Sequence, residues 1–574
     1  VADKDERSDI LKWKDRVRAA KQYQERDGRF QNWRRNRDWY RNRYPSQVVS
    51  VNLVFSYGRA LVPQLYFKAP TILCRPHKQN FVQQSKILEA IDAWLIDHIG
   101  LKQQIKMVIL DAFLTNVGII KCGYNTLSTE LPAPNEDSTA VVAEMLGAPT
   151  SELQEDLDRK KWSYHDHIKP NAPWALRVRP QDVLIPWGFA DEHEAPWMAY
   201  KVVRPVADVK KDEAYKNTSR LQPNVVPDTG LSGLISPNLV GATSSGEFVE
   251  LIEIWDKRDG TIRVLSMDHD KWLRDDEHGL EITGFPGVVL RFNPDGEDFW
   301  GVPDCEHIAK QVIELNENRT HEIVSKRLAN IKGIVDTNTV DDIEIQKAEA
   351  GKGGMFIKAK GNAAAAFHQF AFTVPPDLWK VDEVIRRDVR DTLGWSRNQS
   401  GEFHPGRKTA TEVETVQSAF ELRSDERRDQ VADMFAELFR DKIHPMIFQH
   451  WTEQRTMEVT ALGGWYKFTG QEIRADYDVF VVPDSVIPMG RRDEQQLAER
   501  MFAALKGDPR IQQRPLYLYM MGAFRELIPD PESLMVPEEE YQKLVQQQQQ
   551  MALLTQMMHN RGARGAVGAM QGRR

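Results

Sequence analysis

Residues 409–451 read as one very long helix, and any fold for this chain must accommodate it. Thr409 with Glu412, or Thr411 with Glu414, makes a capping box, in which hydroxyl and carboxylate satisfy free backbone N–H groups at the helix start. In the second half, Val431, Met434, Phe435, Leu438, Phe439 and Ile443 form an apolar stripe at helical spacing. The middle, Arg423–Gln430, is nearly all polar, which places solvent or a polar subunit contact there. Pro445 has no N–H to donate and is expected to kink or end the helix.

Two further helical segments precede it. Asp304–Asn330 reads as one helix, with Ile308, Val312, Leu315, Ile323 and Leu328 near one face. Asp377–Leu393 reads as another, with Val381, Val384, Ile385 and Val389 apolar. Between them, residues 331–376 break into short strand-like pieces holding Gly351, Gly353, Gly354 and Pro375-Pro376. Trp395–Arg407 is a loop with Gly401, Pro405 and Gly406.

The N-terminal half mixes helix and strand. Leu11, Trp13, Val17 and Tyr23 predict a helix ending before Asp27-Gly28. Helices are expected over Asn52–Phe67, Phe81–His98 and Leu101–Leu114, and a strand over Val117–Tyr124. Ala175–Pro186, Trp197–Val203 and Val288–Leu290 read as strands. Val249–Ile254 and Ile262–Val264 flank the hairpin signal Asp259-Gly260. Residues 126–165 and 216–246 read as polar excursions. Trp465–Phe468 and Tyr477–Val482 are strands, and the chain is helical again from Arg491. Tyr541–His559 carries a seven-residue apolar seam interrupted by Gln546–Gln550, ahead of a flexible Gly- and Arg-rich tail.

Composition narrows the function classes. At 574 residues, with 28% charged residues and a mean hydropathy of −0.53, the chain suits an extended multi-domain molecule; the length corresponds to roughly three to four domains. No run reaches the ~18 apolar residues of a membrane helix. The charged start Val1–Asp5 is not a secretory signal, and the missing initiator Met fits trimming before a small residue. Cys74, Cys122 and Cys305 form no CxxC pair and read as reduced thiols of a cytosolic protein. The net charge of −8 argues against tight static binding of DNA but not against a protein that DNA slides past. In residues 1–45 basic residues outnumber acidic ones fourteen to eight. There Arg34–Arg41 is either a nucleic-acid patch or part of an amphipathic arm docking on a neighbouring subunit.

Catalytic constellations are not found. There is no Walker A; Gly351-Lys352-Gly353-Gly354 lacks its spacing and its Ser/Thr after Lys. Glu192-His193-Glu194 and Asp268-His269-Asp270 set carboxylates beside a histidine, but neighbours on a strand point apart, so no metal site is expected at either. There is no GxSxG elbow. The expectation is a non-enzymatic protein without catalytic residues, metal or cofactor.

The order of elements is the informative feature: long helix, interrupted β-rich insert, second helix, glycine-containing loop, very long helix. It comes with Phe299-Trp300-Gly301-Val302-Pro303 just before the first helix and with Gln311, Glu314, Asn316 and Asn318 inside it. Thr409-Ala410-Thr411-Glu412-Val413 opens the long helix. Upstream, Asp111–Leu114 steps into the strand Gly118–Lys121. Over roughly residues 45–485 this arrangement resembles the portal proteins of tailed bacteriophages.

That resemblance implies an α+β portal fold with long stem and wing helices, a β-rich wing and clip, and a helical C-terminal crown. A basic N-terminal arm (1–45) precedes the first part of the wing (46–303). Stem helix one (304–330), the clip (331–376) and stem helix two (377–394) follow. A tunnel loop (395–408) leads to the rest of the wing (409–490) and to a crown with a possible barrel helix (491–574). Arg397, His404, Arg407 and Lys408 would ring the channel and touch phosphates without reading bases. Lys352, Lys358 and Lys360 in the clip would face DNA or a partner protein. The family forms a closed homo-oligomeric ring, usually a dodecamer, at the capsid vertex of the virion. Double-stranded DNA passes through it. The terminase large subunit, head–tail adaptor or tail proteins, and major capsid and scaffolding proteins are its partners. The chain would be made in the host cytoplasm, with no membrane partner. The other readings are a different virion structural protein, such as a head–tail adaptor or an ejected internal protein, and, from a different class, a nuclease or packaging ATPase.

Overall fold

The computed structural model describes residues 2–46, 48–66, 70–125, 168–225, 248–329, 332–335, 340–349, 360, 367–370, 378–395, 425–459, 464–482, 491–506, 513–522 and 524. The fold is mixed α and β, divided into two units, Val1–Ile487 and Pro488–Arg574.

The first unit opens with helices α1 (Ala2–Glu25) and α2 (Arg29–Tyr40), followed by α3 (Leu53–Leu65), β1 (Thr71–Pro76), α4 (Val82–His98), α5 (Leu101–Thr115) and β2 (Val117–Asn125). Next come β3 (Ala172–Val178), β4 (Val183–Leu184), β5 (Trp197–Pro205), α6 (Val206–Lys211), β6 (Phe248–Asp256), β7 (Thr261–Leu265), β8 (Arg274–Glu277) and β9 (Gly287–Arg291). All pairings are antiparallel: β4-β5-β6-β7-β8 make one sheet, β3-β2-β9 a second, and β1 pairs with a late strand described below. The β6–β7 hairpin turns at Gly260, whose φ is +64°, as the Asp-Gly signal requires.

The N-terminal segment is not a free arm. Ile10, Trp13, Val17 and Ala20 recur at helical spacing and pack on Leu184, Trp197, Ala199, Ile252 and Ile254 of the five-stranded sheet. Leu11, which looked like part of that face, is 57% exposed, because its neighbour Ile10 takes the inward position. In α2 the basic patch splits. Arg35 pairs with Glu306, Arg29 with Asp298, and Arg37 donates to Gln181, while Arg34 and Arg41 stay exposed. The arm thus docks on its own chain.

The segment over residues 304–329 is interrupted once. A short helix α7 (Asp304–His307) stops at Ile308, and α8 (Ala309–Ala329) continues. After it come β10 (Lys332–Val335), α9 (Asp342–Glu349), β11 (Phe367–Phe370) and α10 (Leu378–Leu393); β10 pairs with β11, and α9 is a helix where only strand-like pieces were expected. Residues 425–437 are helical (α11). A π-helical turn, Leu438–Ile443, joins them to α12 (His444–His450). The turn explains how Pro445 is tolerated. The proline cannot bond back to Asp441, and the freed Asp441 carbonyl accepts instead from the Thr283 N–H at 3.1 Å. The stripe from Val431 to Ile443 is buried throughout, as its spacing predicts. The polar belt before it is an intrachain contact: Arg427 pairs with Asp304 at 2.9 Å. The unit closes with β12 (Arg455–Val459), β13 (Gly464–Phe468) and β14 (Tyr477–Val482); β12 pairs with β13, and β14 with β1.

In the second unit, α13 (Arg491–Leu505) and α14 (Gln513–Gly522) pack Phe502 edge-on against Tyr517, ring centroids 4.9 Å apart. The seam at Tyr541–His559 and the excursion at 126–165 lie outside the described residues, as does most of 216–246.

One buried polar hub ties the first unit together. Asn116, in the left-handed region at φ +69°, ends α5 and starts β2. Its amide donates to the carbonyls of Asn293 (2.8 Å) and Trp300 (3.0 Å) and accepts from the Asn293 N–H (2.9 Å). The Asn293 side chain donates to Val302 O and Asp304 Oδ1, each at 3.0 Å, and Asp304 holds Arg427. Gly301, at φ +53°, lies against the Asn116 amide, where any Cβ would collide. Asn116→Ala should therefore cost roughly 3 kcal/mol, because it strands buried backbone groups, and Gly301→Ala at least as much; a lowered urea midpoint of the full chain checks both.

Candidate functional site

The element least accounted for by the core is the antiparallel pair α8–α10. Burial fades along it. Ile308, Val312, Leu315 and Asn316 are buried at the α8 start, and Ile385, Val389, Arg390 and Leu393 toward the α10 end, whereas no described residue from Glu317 to Lys326 is buried. The pair leaves the core with its far end toward the β10–β11 ladder. Polar groups set its register. Asn318 donates to Asp382 at 2.5 Å, and Arg319 reaches both Asp382 (3.3 Å) and Glu322 (2.6 Å). The segment before α3 is pinned to the same helix, with the N–H groups of Val49 and Val51 donating to Thr320 (2.9 Å) and Asn316 (2.7 Å).

Each helix of the pair also carries exposed apolar side chains. Ile313 and Val324 on α8 are 42% and 43% exposed, and Val381 and Val384 on α10 are 40% and 43% exposed. Ile313 and Val324 are eleven residues apart, three helical turns, so they share one face. At the far end Ile343 of α9 is 68% exposed. Of the residues singled out from sequence, Lys360 lies here, in an exposed ion pair with Asp341 at 2.8 Å. Lys352, Lys358, Arg397, His404, Arg407 and Lys408 lie outside the described residues, as does the opening of the long helix at Thr409.

Two ionisable clusters sit in the body of the unit. The first corrects an expectation. Asp191, Glu192 and His193 occupy a turn, not a strand, and their ligand atoms lie within 4.8 Å of one another. Arg291 already sits at 3.2 Å from both carboxylates. Burial pushes Glu192 up to about 7, opposed by Arg291 and assisted by Asp191. Burial also raises Glu437, against the pull of Lys442. Glu192, Glu437, Lys442 and Tyr200 line a cavity of about 10 Å³, room for one water. The Tyr200 hydroxyl is buried in it without a partner among the described residues.

The second cluster was missed. Cys74 of β1, Asp92 of α4 and His444 of α12 are all buried and converge within 4.8 Å. They stand 18 and 352 positions apart in the chain, so no spacing motif could flag them. The available signal was a polar Asp92 beside the apolar Ile91 and Leu95, and His444 directly after the apolar stripe. No helix among the described residues is long and apolar enough to cross a membrane. Neither a family model nor a curated protein matches this chain.

The Glu192 cluster yields a pH dependence. An unfolded glutamate loses its proton near 4.5, whereas folded Glu192 keeps it up to about 7. Its contribution to stability is complete below 4.5 and is lost as pH rises through 7. Glu192→Gln should gain stability over the parent across that window, on the order of 2 kcal/mol by pH 8, read from parallel urea titrations at each pH.

Proposed function

We propose that this chain is one subunit of a phage-type portal: a closed ring set in a capsid, through which double-stranded DNA is packaged and ejected. The observation that carries this reading is the α8–α10 pair, which leaves the core, keeps apolar side chains exposed on both helices and ends at a small β ladder. A monomer gains nothing from exposed Ile313, Val324, Val381 and Val384. A ring does, because a head-to-tail contact needs two unlike surfaces on each subunit, each meeting the other's counterpart. In this reading α8 and α10 are the stem, the β10–β11 ladder with α9 belongs to the clip, and the surrounding helices and sheets form the wing.

The charge balance supports the same reading. Each phosphate neutralised adds a salt-dependent hold that a packaging motor must break. A net charge of −8 keeps that hold weak, and a few cations near the channel suffice to guide the duplex. The proposed channel residues are Arg397, His404, Arg407 and Lys408. Lys360 and exposed Ile343 mark the clip end, where the terminase motor and later the head-completion proteins would dock.

The test is assembly mass. The parent chain should sediment as a multiple of its 66.0 kDa subunit. The double variant Val381→Asp, Val384→Asp should sediment as a monomer with unchanged circular dichroism, since both side chains are already exposed in the single chain. An undisturbed assembly in that variant counts against the stem assignment.

A further inference from the structure

The Cys74–Asp92–His444 cluster has the composition and geometry of a metal site. His444 Nε2 lies 2.9 and 3.1 Å from the two Asp92 oxygens, and Cys74 Sγ lies 3.7 Å from Oδ2. A tetrahedral zinc, with bonds of about 2.0 Å to N and O and about 2.3 Å to S, needs ligand atoms roughly 3.3–3.7 Å apart. The nitrogen–oxygen and sulfur–oxygen separations come within a few tenths of an ångström of those edges, and the three ligand atoms all lie within 4.8 Å of one another. The donor set, one thiolate, one imidazole and one carboxylate, is one that favours zinc over calcium or magnesium. Charge also balances: thiolate and carboxylate together offset a divalent cation, so the loaded site adds no net charge to the core.

The surroundings hold the donors in place. Glu89 Oε1 accepts from the Cys74 N–H at 3.1 Å, fixing β1 against α4. The His444 ring lies between Phe439 and Phe448, centroids 5.9 and 6.1 Å away. An open cleft of about 420 Å³, lined by Glu281, Arg440, His444, Arg474 and Tyr477, leads to the histidine. His444 is the one proposed ligand in its wall; Cys74 and Asp92 are buried and do not line it.

We propose that Cys74, Asp92 and His444 bind zinc, stapling β1, α4 and α12 together, with the fourth coordination position left to solvent from the cleft. Binding displaces the Cys74 proton, so affinity rises with pH.

The full chain, equilibrated with zinc and passed through a desalting column, should retain one zinc per chain by elemental analysis. Loaded with cobalt instead, it should show thiolate-to-cobalt charge transfer and tetrahedral visible bands. Cys74→Ser should abolish the charge transfer and weaken zinc binding more than about a hundredfold, beyond the 10–100-fold typical of losing an outer hydrogen-bond partner. His444→Gln should weaken zinc binding as strongly. The proposal is overturned if the parent retains no zinc, if its cobalt form lacks the thiolate band, or if folded Cys74→Ser binds zinc as the parent does.

Discussion

The side chain of Asn116 is the constraint on which the rest of the first unit depends. It sits where α5 turns into β2, and its amide bridges two stretches of chain some 180 residues downstream, at Asn293 and Trp300. Through Asn293 the network reaches Asp304, the first residue of α7, and through Asp304 it reaches Arg427 on α11. Three segments that sequence keeps far apart, at 116, 293–304 and 427, are thereby locked in one register. A buried polar network of this kind specifies geometry only when its members are satisfied, and here the left-handed Asn116 and the Cβ-free Gly301 make the close approach possible.

That register decides where α8 points. Its first turns are held in the core by the hub and by Val312 and Leu315, while Asn316 and Thr320 anchor the segment before α3. Beyond them the helix runs beside α10, and Asp382 fixes that pairing through Asn318 and Arg319. In the proposed ring the body would set the angle between neighbouring subunits, and the helix pair would line the passage. In the proposed portal, heterologous contact along the stem closes the ring, and the weak net acidity lets DNA move through it.

Much of this was legible in the sequence because it rests on local periodicity. The apolar stripe Val431–Ile443, the helices α3 to α5, the Asp259-Gly260 hairpin and the interrupted helix–insert–helix order all follow from spacing alone. What escaped depends on long-range partners. The basic patch at Arg34–Arg41 looked like a surface for another molecule because Glu306, which takes up Arg35, lies some 270 residues away. The polar belt at Arg427 looked solvent- or subunit-facing for the same reason. Glu192, His193 and Glu194 were judged divergent because a strand was assumed where the chain turns, and Asp191, which joins Glu192 and His193 there, was not singled out. Cys74, Asp92 and His444 share no motif. The pattern Phe299–Pro303 was one of the motifs that accompanied the order of elements, but its physical role, the hub contact at Trp300 and Gly301, is visible only in three dimensions.

The central claim is that identical chains close into a ring around a DNA-wide passage. Single-particle electron microscopy of the purified chain tests it most directly. The account predicts closed rings with a central opening and a flared rim in end views, tapering to a narrow stem in side views. Monomers, or open filaments with no closed class, would contradict it.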